Sequence, residues 1–230
     1  CAWEAVRVGD ALDHDPVARR ELAVRIRASA AALDAAVASC FDPCGDVVVT
    51  WVRGGTRQPW NGPRGVTGGL SAVCDAVYAD APRLKNELLN RRALSSAAAA
   101  ARRALLDAMI TAGAKPGLGI EGAPPEWSMY ASLLAEGGLH RVRGDAWGFG
   151  PPPPDDPLRL LPTWRAIEGF LDTTDGTARR LRELFRALAR PPLGLREGPA
   201  PVLFLAVVLA SPGEVALFED GTFVPDLSGA

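Results

Sequence analysis

Apolar residues recur at helical spacing through most of this chain, and short β-branched or alternating runs interrupt them at a few points. The first periodic segment covers residues 16–41 and begins with Pro16, which suits the first turn of a helix. One helical stripe of this segment consists of Leu22, Ile26, Leu33, Val37 and Phe41. The pattern predicts a long amphipathic helix that packs along a neighbour.

A composition change follows this helix. The stretch DVVVTWVR, residues 46–53, is rich in β-branched residues and predicts a strand. The next stretch, GGTRQPWNGPRGVTGG, is so rich in Gly and Pro that it predicts a loop. We therefore expect an N-terminal region of helix, strand and loop over residues 1–68.

From Leu70 the pattern becomes densely helical. Helices are predicted over residues 70–82, over KNELLNRR and from LSSAAAAARRALLDAMI onward, where Ser95 or Ser96 can cap the helix start. After a loop, PPEWSMYASLLAEGG opens with prolines and ends at Gly137-Gly138, which are a typical start and stop of a helix. Further helices are predicted at TWRAIEGFLD, RRLRELFRALARPP and GPAPVLFLAVVLA.

Two hairpins are predicted at LHRVRGDAWGFGPP and EVALFEDGTFVP, because each places Asp and Gly between apolar runs. An isolated two-stranded hairpin is barely stable in water, so each must pack against a helix. Residues 130–152 and 203–227 share one order of apolar helix, glycine stop, strand, turn, strand and proline. Helices followed by a hairpin are typical of winged-helix domains.

The predicted fold class is therefore mainly α with short β-hairpins (α+β), built as tandem winged-helix-like units. The first unit covers residues 69–152 and the second covers residues 153–230. The proline run PPPPDDP at 151–157 would be a stiff connector between them.

Charge and composition narrow the possible functions. Hydrophobic residues make up 48% of the chain and charged residues 23%, so it can bury a core. A formal charge of -2 excludes a globally basic protein that coats nucleic acid. Any contact with nucleic acid must therefore depend on local basic patches.

The sequence begins at Cys1, and its only methionines are Met109 and Met129, so we expect a piece of a longer protein. Its start has neither the basic residues nor the continuous apolar region of a signal peptide. The longest apolar run, residues 202–210, is too short to span a bilayer. A cytoplasmic location without a membrane partner is the expectation.

Motifs for catalysis are sparse. The segments GAKPGLGIEG and GFGPP lack the residue order of a phosphate-binding loop. His140 has no serine in a nucleophile-elbow context, and Asp155-Asp156 lies in the proline-rich connector, where a solvated turn is expected. We predict that this segment is not an enzyme and carries no cofactor.

Cys40 and Cys44 have the spacing of half a zinc site. The remaining candidate ligands are scattered without a second close pair; they are Cys74, His14 and His140. Small buried apolar side chains are the favoured interpretation of the cysteines.

Arginine clusters carry the main functional signal, because a guanidinium donates hydrogen bonds to phosphate oxygens in a planar fork. In residues 83–103, one acid, Glu87, opposes a set of basic residues that consists of Arg83, Lys85, Arg91, Arg92, Arg102 and Arg103. A second cluster of arginines lies in residues 179–190, where Glu183 is the one acidic residue. The alternative is that these arginines form salt bridges on the surface or at a domain contact.

The two predicted hairpins differ in charge. The first carries Arg141 and Arg143, whereas Glu219 and Asp220 at the tip of the second would repel phosphates. The predicted phosphate contacts are therefore Arg91, Arg92, Arg102 and Arg103, with Arg141 and Arg143 as contacts from a wing.

Four strings, NELLNRRALSSAAAAARRALLDAM, PPEWSMYASLL, PLGLREGPAPVLFLAVVLA and VALFEDGTFVP, resemble a segment of large bacterial ATP-binding proteins, some of them connected with phage defence. The resemblance extends along the whole chain. It implies an accessory helical, winged-helix-like region beside a P-loop ATPase module that would lie upstream. No catalytic residue carries over, because this chain contains none of the ATPase motifs.

Two hypotheses of function follow. The first is a noncatalytic region of a larger ATP-dependent bacterial protein, one connected with phage defence, that contacts nucleic acid such as DNA or a partner. The second is a scaffold that docks on the parent ATPase module or another subunit. In the second hypothesis, the hairpins and the helix at PVLFLAVVLA bury against the partner, and the arginines pair with acids.

Overall fold

The computed structural model describes residues 15–42, 49–174 and 177–224. Within these ranges the chain is mixed α+β, with helices joined to short antiparallel hairpins, as the coarse fold class predicts. The chain divides into two compact units, Cys1–Val73 and Cys74–Ala230. The predicted boundaries near residues 68 and 152, and the winged-helix arrangement, stay predictions.

The first unit opens with the predicted long helix, α1, which spans Pro16–Phe41. Asp15 caps it, because its Oδ1 accepts hydrogen bonds from the Val17 and Ala18 amides at 3.0 and 2.9 Å. No residue of α1 is buried within the described part of the chain. Its apolar stripe, including Leu33, is therefore largely exposed.

A small hairpin follows, in which β1 (Val52–Arg53) pairs with β2 (Thr56–Arg57). Gly54 and Gly55 form its turn, and both have positive φ, which glycine adopts without steric cost. The predicted strand at 46–53 is thus observed only at its end. Residues 46–48 lie outside the described residues.

The stretch that the sequence predicts as loop contains a helix instead, α2, over Gly62–Val77. One of its glycines makes room for aromatic packing rather than breaking the helix. A Cβ at Gly69 would overlap the indole ring of Trp60, and that ring lies 5.9 Å from the ring of Trp51. Glycine content therefore gave the wrong secondary structure here, because the packing of Trp60 requires a residue without a side chain within the helix.

The second unit contains the remaining predicted helices. They are α3 (Ser96–Ala112), α4 (Pro125–Met129, continued as a wider helical turn through Ala135), α5 (Leu161–Asp172), α6 (Leu181–Leu188) and α7 (Ala200–Ala210).

The predicted helix at KNELLNRR is wrong, because residues 85–92 form turns. Asn86 explains the difference. Its Oδ1 accepts the Leu88 amide at 2.9 Å, and its side-chain amide donates to Ser132 Oγ at 2.8 Å. Asn side chains that bond nearby backbone compete with helix formation.

Both predicted hairpins are present in the second unit. Strands β3 (His140–Arg143) and β4 (Ala146–Phe149) pair antiparallel, as do β5 (Leu217–Glu219) and β6 (Thr222–Val224). Asp220 and Gly221 both have positive φ, as an Asp-Gly hairpin turn requires. The closing proline of the second hairpin, Pro225, lies outside the described residues.

Helix α7 lies at the centre of the second unit. It is apolar on every face and buried from Val202 to Val208. It contacts α3, α5 and β4, so residues before and after position 152 contribute to one continuous core. The largest fully buried side chains in this unit are Leu89, Leu105, Met109, Leu118, Met129, Leu133, Leu134, Leu139, Leu160, Ile167, Leu184 and Leu188.

Part of the proline-rich segment packs against neighbouring residues. Pro153 lies against Gly138, where a Cβ would come within 2.8 Å of the proline ring. Asp156 accepts the Leu160 and Leu161 amides at 2.8 Å each and so satisfies donors at the start of α5. This carboxylate therefore stabilises a helix terminus, whereas the sequence predicts a solvated turn.

None of the helices within the described ranges combines the length and apolar character that crossing a bilayer requires.

We predict that Gly198→Ala destabilises the second unit by about 2 to 3 kcal/mol, because the new Cβ would overlap the Leu89 carbonyl oxygen, which belongs to rigid backbone. Gly169→Ala is the matched control. Gly169 is exposed on α5 with nothing within 4 Å of its Cβ position, so alanine there stabilises by up to about 1 kcal/mol. Urea unfolding of both variants measures the difference. Equal effects of the two substitutions would contradict the packing described here.

Candidate nucleic-acid interface

The start of α3 is exposed and carries several of the predicted contact residues. Ser95 caps the helix, since its Oγ accepts the Ala98 amide at 3.3 Å. The hydroxyl proton is not used in that bond and can be donated to a ligand. Arg91, Arg92 and Ser96 are exposed beside it.

A second segment, the turn at residues 196–198, packs against this helix start. The Gly198 amide donates to the Arg91 carbonyl at 3.0 Å, and the Arg196 guanidinium donates to the Asn90 carbonyl at 2.7 Å. Gly198 is buried, and a side chain there would meet the Leu89 carbonyl. Only glycine lets the two segments approach this closely.

Arg102 joins the same arrangement from the second turn of α3. Its Nη1 lies 3.3 Å from the carbonyl oxygens of both Glu197 and Gly198. Burial lowers the pKa of the Arg102 guanidinium, and the nearby Glu197 carboxylate partly offsets this effect. Arg102 therefore holds the turn against the helix, in addition to any ligand contact.

The structure thus brings Arg196 together with Arg91 and Arg102, which lie about one hundred residues earlier in the chain. Arg196 is not among the predicted contact residues, because it lies alone in a Gly- and Pro-rich stretch without periodicity. No local signal could have found it, since its position depends on how Gly198 packs.

Acidic neighbours neutralise only part of this charge. Arg91 Nη2 forms an ion pair with Glu87 Oε2 at 3.9 Å, and both side chains are at least half exposed. Arg91 Nε also donates to the Glu87 backbone carbonyl at 2.7 Å. Exposed pairs of this kind contribute little to stability. Glu197 acts on Arg102 as described above. The Arg92 and Arg103 side chains are exposed, and neither has a hydrogen bond or ion pair within the described residues.

We define the arginine cluster as the basic residues around the start of α3 and the 196–198 turn. Its members are Arg91, Arg92, Arg102, Arg103 and Arg196.

The hairpin arginines lie in a different network. Arg141 donates to the carbonyls of Gly138 and Pro151, and Arg143 donates to the carbonyl of Phe149. Burial lowers the pKa of Arg141, and the positive charge of Arg143 lowers it further. Both guanidiniums therefore close their own hairpin, and only their remaining N–H groups are available to a ligand.

In the second arginine cluster, Arg179 has the most contacts. It donates to Thr173 Oγ1 at 2.7 Å and to Glu183 Oε2 at 3.3 Å, and its guanidinium lies 4.2 Å from the centre of the Phe170 ring. This matches the interpretation of that arginine as a paired surface residue.

His140 is buried, with 2% of its surface exposed. Its Nε2 lies 2.8 Å from the Gly113 carbonyl, which only accepts, so Nε2 carries the proton. Nδ1 therefore accepts from the Tyr130 hydroxyl at 3.1 Å. Both ring nitrogens are used, and His140 links β3 to α3 and α4.

This burial has an electrostatic consequence. Desolvation lowers the pKa of His140, and the hydrogen bond to Gly113 partly opposes the shift. Desolvation likewise raises the pKa of Tyr130. His140 is thus a neutral structural residue near neutral pH, and no signal in the sequence distinguishes it from an exposed strand histidine.

The candidate zinc ligands predicted from the sequence are widely separated along the chain. Cys40 and Cys74 are exposed thiols, contrary to the expected burial of cysteine. Cys1, Cys44 and His14 lie outside the described residues. Within the described part of the chain, no group of three potential ligands lies close enough to hold a metal ion.

No protein-family model, curated protein or solved structure matches this chain.

We predict that stability decreases as the pH falls below about 6.5, the unfolded pKa of histidine. The pKa of His140 is lower in the folded state, so the unfolded state binds a proton at a higher pH than the folded state does. The contribution of neutral His140 to the free energy of unfolding is therefore fully present above about pH 6.5. For the uptake of one proton, the free energy of unfolding falls by at most about 1.4 kcal/mol per pH unit. Urea unfolding at pH 7.5 and pH 5.5 measures it.

The matched variants of this experiment are His140→Gln, which removes the titrating group, and His14→Gln, which changes the only other histidine. The first should flatten the pH dependence between these values and the second should keep it. A steep dependence that persists in His140→Gln would contradict the assignment.

Proposed function

We propose that this chain is a noncatalytic, winged-helix-like region that contacts DNA within a larger ATP-dependent bacterial protein, one connected with phage defence. The observation that carries the proposal is the arginine cluster at the exposed start of α3. The resemblance of the four sequence strings to large bacterial ATP-binding proteins supports the context of the proposal.

The chemistry of the arginine cluster suits phosphate. Arg92 and Arg103 extend into solvent, and Arg91 has donors beyond those that Glu87 occupies. Ser95 and the backbone amides at the start of α3 add neutral donors beside them, and helix starts favour anions. Five arginines against Glu87 and Glu197 leave a local positive excess.

The order of elements supports the winged-helix part of the proposal. Helix α4 leads through Gly137-Gly138 into β3–β4, and α7 leads through a turn at Gly213 into β5–β6. In each case a two-stranded hairpin follows an apolar helix. In this arrangement α3 is the helix that contacts DNA, and β3–β4 is the wing.

The two hairpins would then have different roles. Arg141 and Arg143 let the first wing approach phosphates with their unused N–H groups. Glu219 and Asp220 are exposed at the tip of the second hairpin, where they would repel DNA. DNA contact through a wing is therefore assigned to the first.

We predict that Arg91→Ala with Arg92→Ala weakens binding of the full chain to a short labelled duplex by about tenfold or more at low salt. The slope of log K against log salt should fall by about 1 to 2, since each lost phosphate contact contributes about 0.9. Fluorescence anisotropy at several salt concentrations measures both quantities.

The matched control is Arg165→Ala with Arg182→Ala, which removes the same charge from exposed positions on α5 and α6. If both double variants weaken binding equally, the contact is general electrostatic attraction. Unchanged affinity and slope in the Arg91 and Arg92 variant would refute the proposal.

A specific observation also favours the scaffold hypothesis. Phe218 and Phe223 face each other across β5–β6 with ring centres 5.8 Å apart, and they are 56% and 53% exposed. Exposed aromatic pairs are common at protein interfaces. Helix α7 cannot serve this role, because Leu203 and Leu205 are buried in the chain's own core.

If this second hypothesis holds, the chain should associate through the aromatic pair. Phe218→Ser with Phe223→Ser should then reduce concentration-dependent association in sedimentation velocity, whereas Val142→Ser, at an equally exposed position on β3, should not. A monomer at every concentration, with or without the parent ATPase module, would remove the support for a scaffold.

A further inference from the structure

An open groove of about 590 Å³ lies in the second unit, and none of its lining residues belongs to the arginine cluster. Its volume is within the range of small-molecule sites. Its lining residues are Asp75, Tyr78, Ala79, Ala81, Pro82, Arg83 and Arg159.

Tyr78 provides a flat aromatic wall. Its ring packs on Gly194, which has a φ of +58° and where a Cβ would lie 2.6 Å from the ring. The glycine therefore supports the ring, and Tyr78, which lines the groove, is 39% exposed. A ring that is fixed on one side and open on the other can stack a planar ligand.

Arg159 is held at the groove by its backbone and its side chain. Its φ is +52°, a left-handed conformation that a residue with a branched or long side chain rarely adopts. One of its guanidinium nitrogens donates to the Ala79 carbonyl at 2.5 Å. The strained conformation is maintained by surrounding contacts, as is common at binding sites.

Arg83 is positioned beside it, because the Arg83 amide donates to the Leu158 carbonyl at 2.8 Å. The Arg83 side chain is exposed and has no hydrogen bond or ion pair among the described residues. Two guanidiniums thus line one groove from neighbouring segments. Asp75, one helical turn before Tyr78, is the groove's one acidic lining residue.

We propose that this groove binds a nucleotide, with the base stacked on Tyr78 and the phosphate held between Arg83 and Arg159. Asp75 is placed to accept a hydrogen bond from a sugar hydroxyl. The ligand chemistry is a planar base joined to a phosphate, which occurs both in free nucleotides and in a single strand. This proposal does not depend on DNA contact by the arginine cluster.

Adenosine monophosphate is the probe for the test, titrated into the full chain by calorimetry. We expect saturable binding below about 1 mM. Arg83→Ala and Tyr78→Leu should each weaken it about tenfold or more, because they remove a charge-assisted hydrogen bond and the stacking surface. Tyr78→Phe keeps the ring and should retain most of the affinity.

The control variant is Arg92→Ala, which belongs to the arginine cluster and should leave nucleotide binding unchanged. This variant also separates the nucleotide proposal from the DNA proposal, because it should weaken DNA binding without changing nucleotide binding. A circular dichroism melt of each variant shows that it is folded, so loss of binding reports on the groove.

Ligands that lack either the base or the phosphate test whether the groove recognises both groups. Adenosine without phosphate, or inorganic phosphate without a base, should bind at least about tenfold more weakly than the monophosphate. Inorganic phosphate that binds as tightly would overturn the proposal, as would the absence of saturation up to about 5 mM monophosphate. Tighter binding of a thymidine pentanucleotide through the same residues would identify a single strand as the source of the ligand.

Discussion

Helix α7 is apolar on every face, and this constraint organises the second unit. A helix with one apolar stripe needs one neighbour, but α7 must be covered on all sides. The chain meets this requirement with α3 and α5 and with strand β4, which all contact it. Burial of Val202–Val208 removes several hundred square ångströms of apolar surface from water, which is the main favourable term in folding.

The arginine cluster is a consequence of the same packing. The residues that lead into α7 must pass close to the start of α3, and Gly198 permits this approach because it lacks a Cβ. Arg196 and Arg102 then bond to backbone carbonyls on both sides of the contact. A basic surface therefore lies where the core helix enters the unit, and its members Arg91, Arg102 and Arg196 are held there by hydrogen bonds to backbone carbonyls.

Several charged or polar residues that could take part in catalysis or ligand binding form hydrogen bonds within the fold instead. His140 uses both ring nitrogens in a buried chain from Tyr130 to the Gly113 carbonyl. Asp156 caps α5, and the guanidiniums of Arg141 and Arg143 bond within their hairpin. Buried polar groups are costly unless they are paired, so the bonds of the buried His140 are required by the fold. The groove at Tyr78 differs, since Arg83 has an open guanidinium there.

The amino-acid sequence by itself determined most helices and the two hairpins of the second unit. Helical periodicity, the Ser95 cap and the Asp220-Gly221 turn are local signals, and local signals need no knowledge of the remaining chain. The mixed α+β class follows from them. Only tertiary structure decided that the glycine-rich stretch becomes α2 and that KNELLNRR does not form a helix. Trp60 needs a neighbour without a side chain in the first case, and Asn86 finds distant partners in the second.

The candidate sites depended on tertiary structure even more. The run of arginines before and within α3 is visible in the sequence, but Arg196 joins it only through the packing of Gly198. The groove combines Tyr78, Arg83 and Arg159 from segments separated by up to about eighty residues, and no spacing rule connects them. Contacts between distant segments depend on how the apolar faces are buried, which a periodic pattern does not specify.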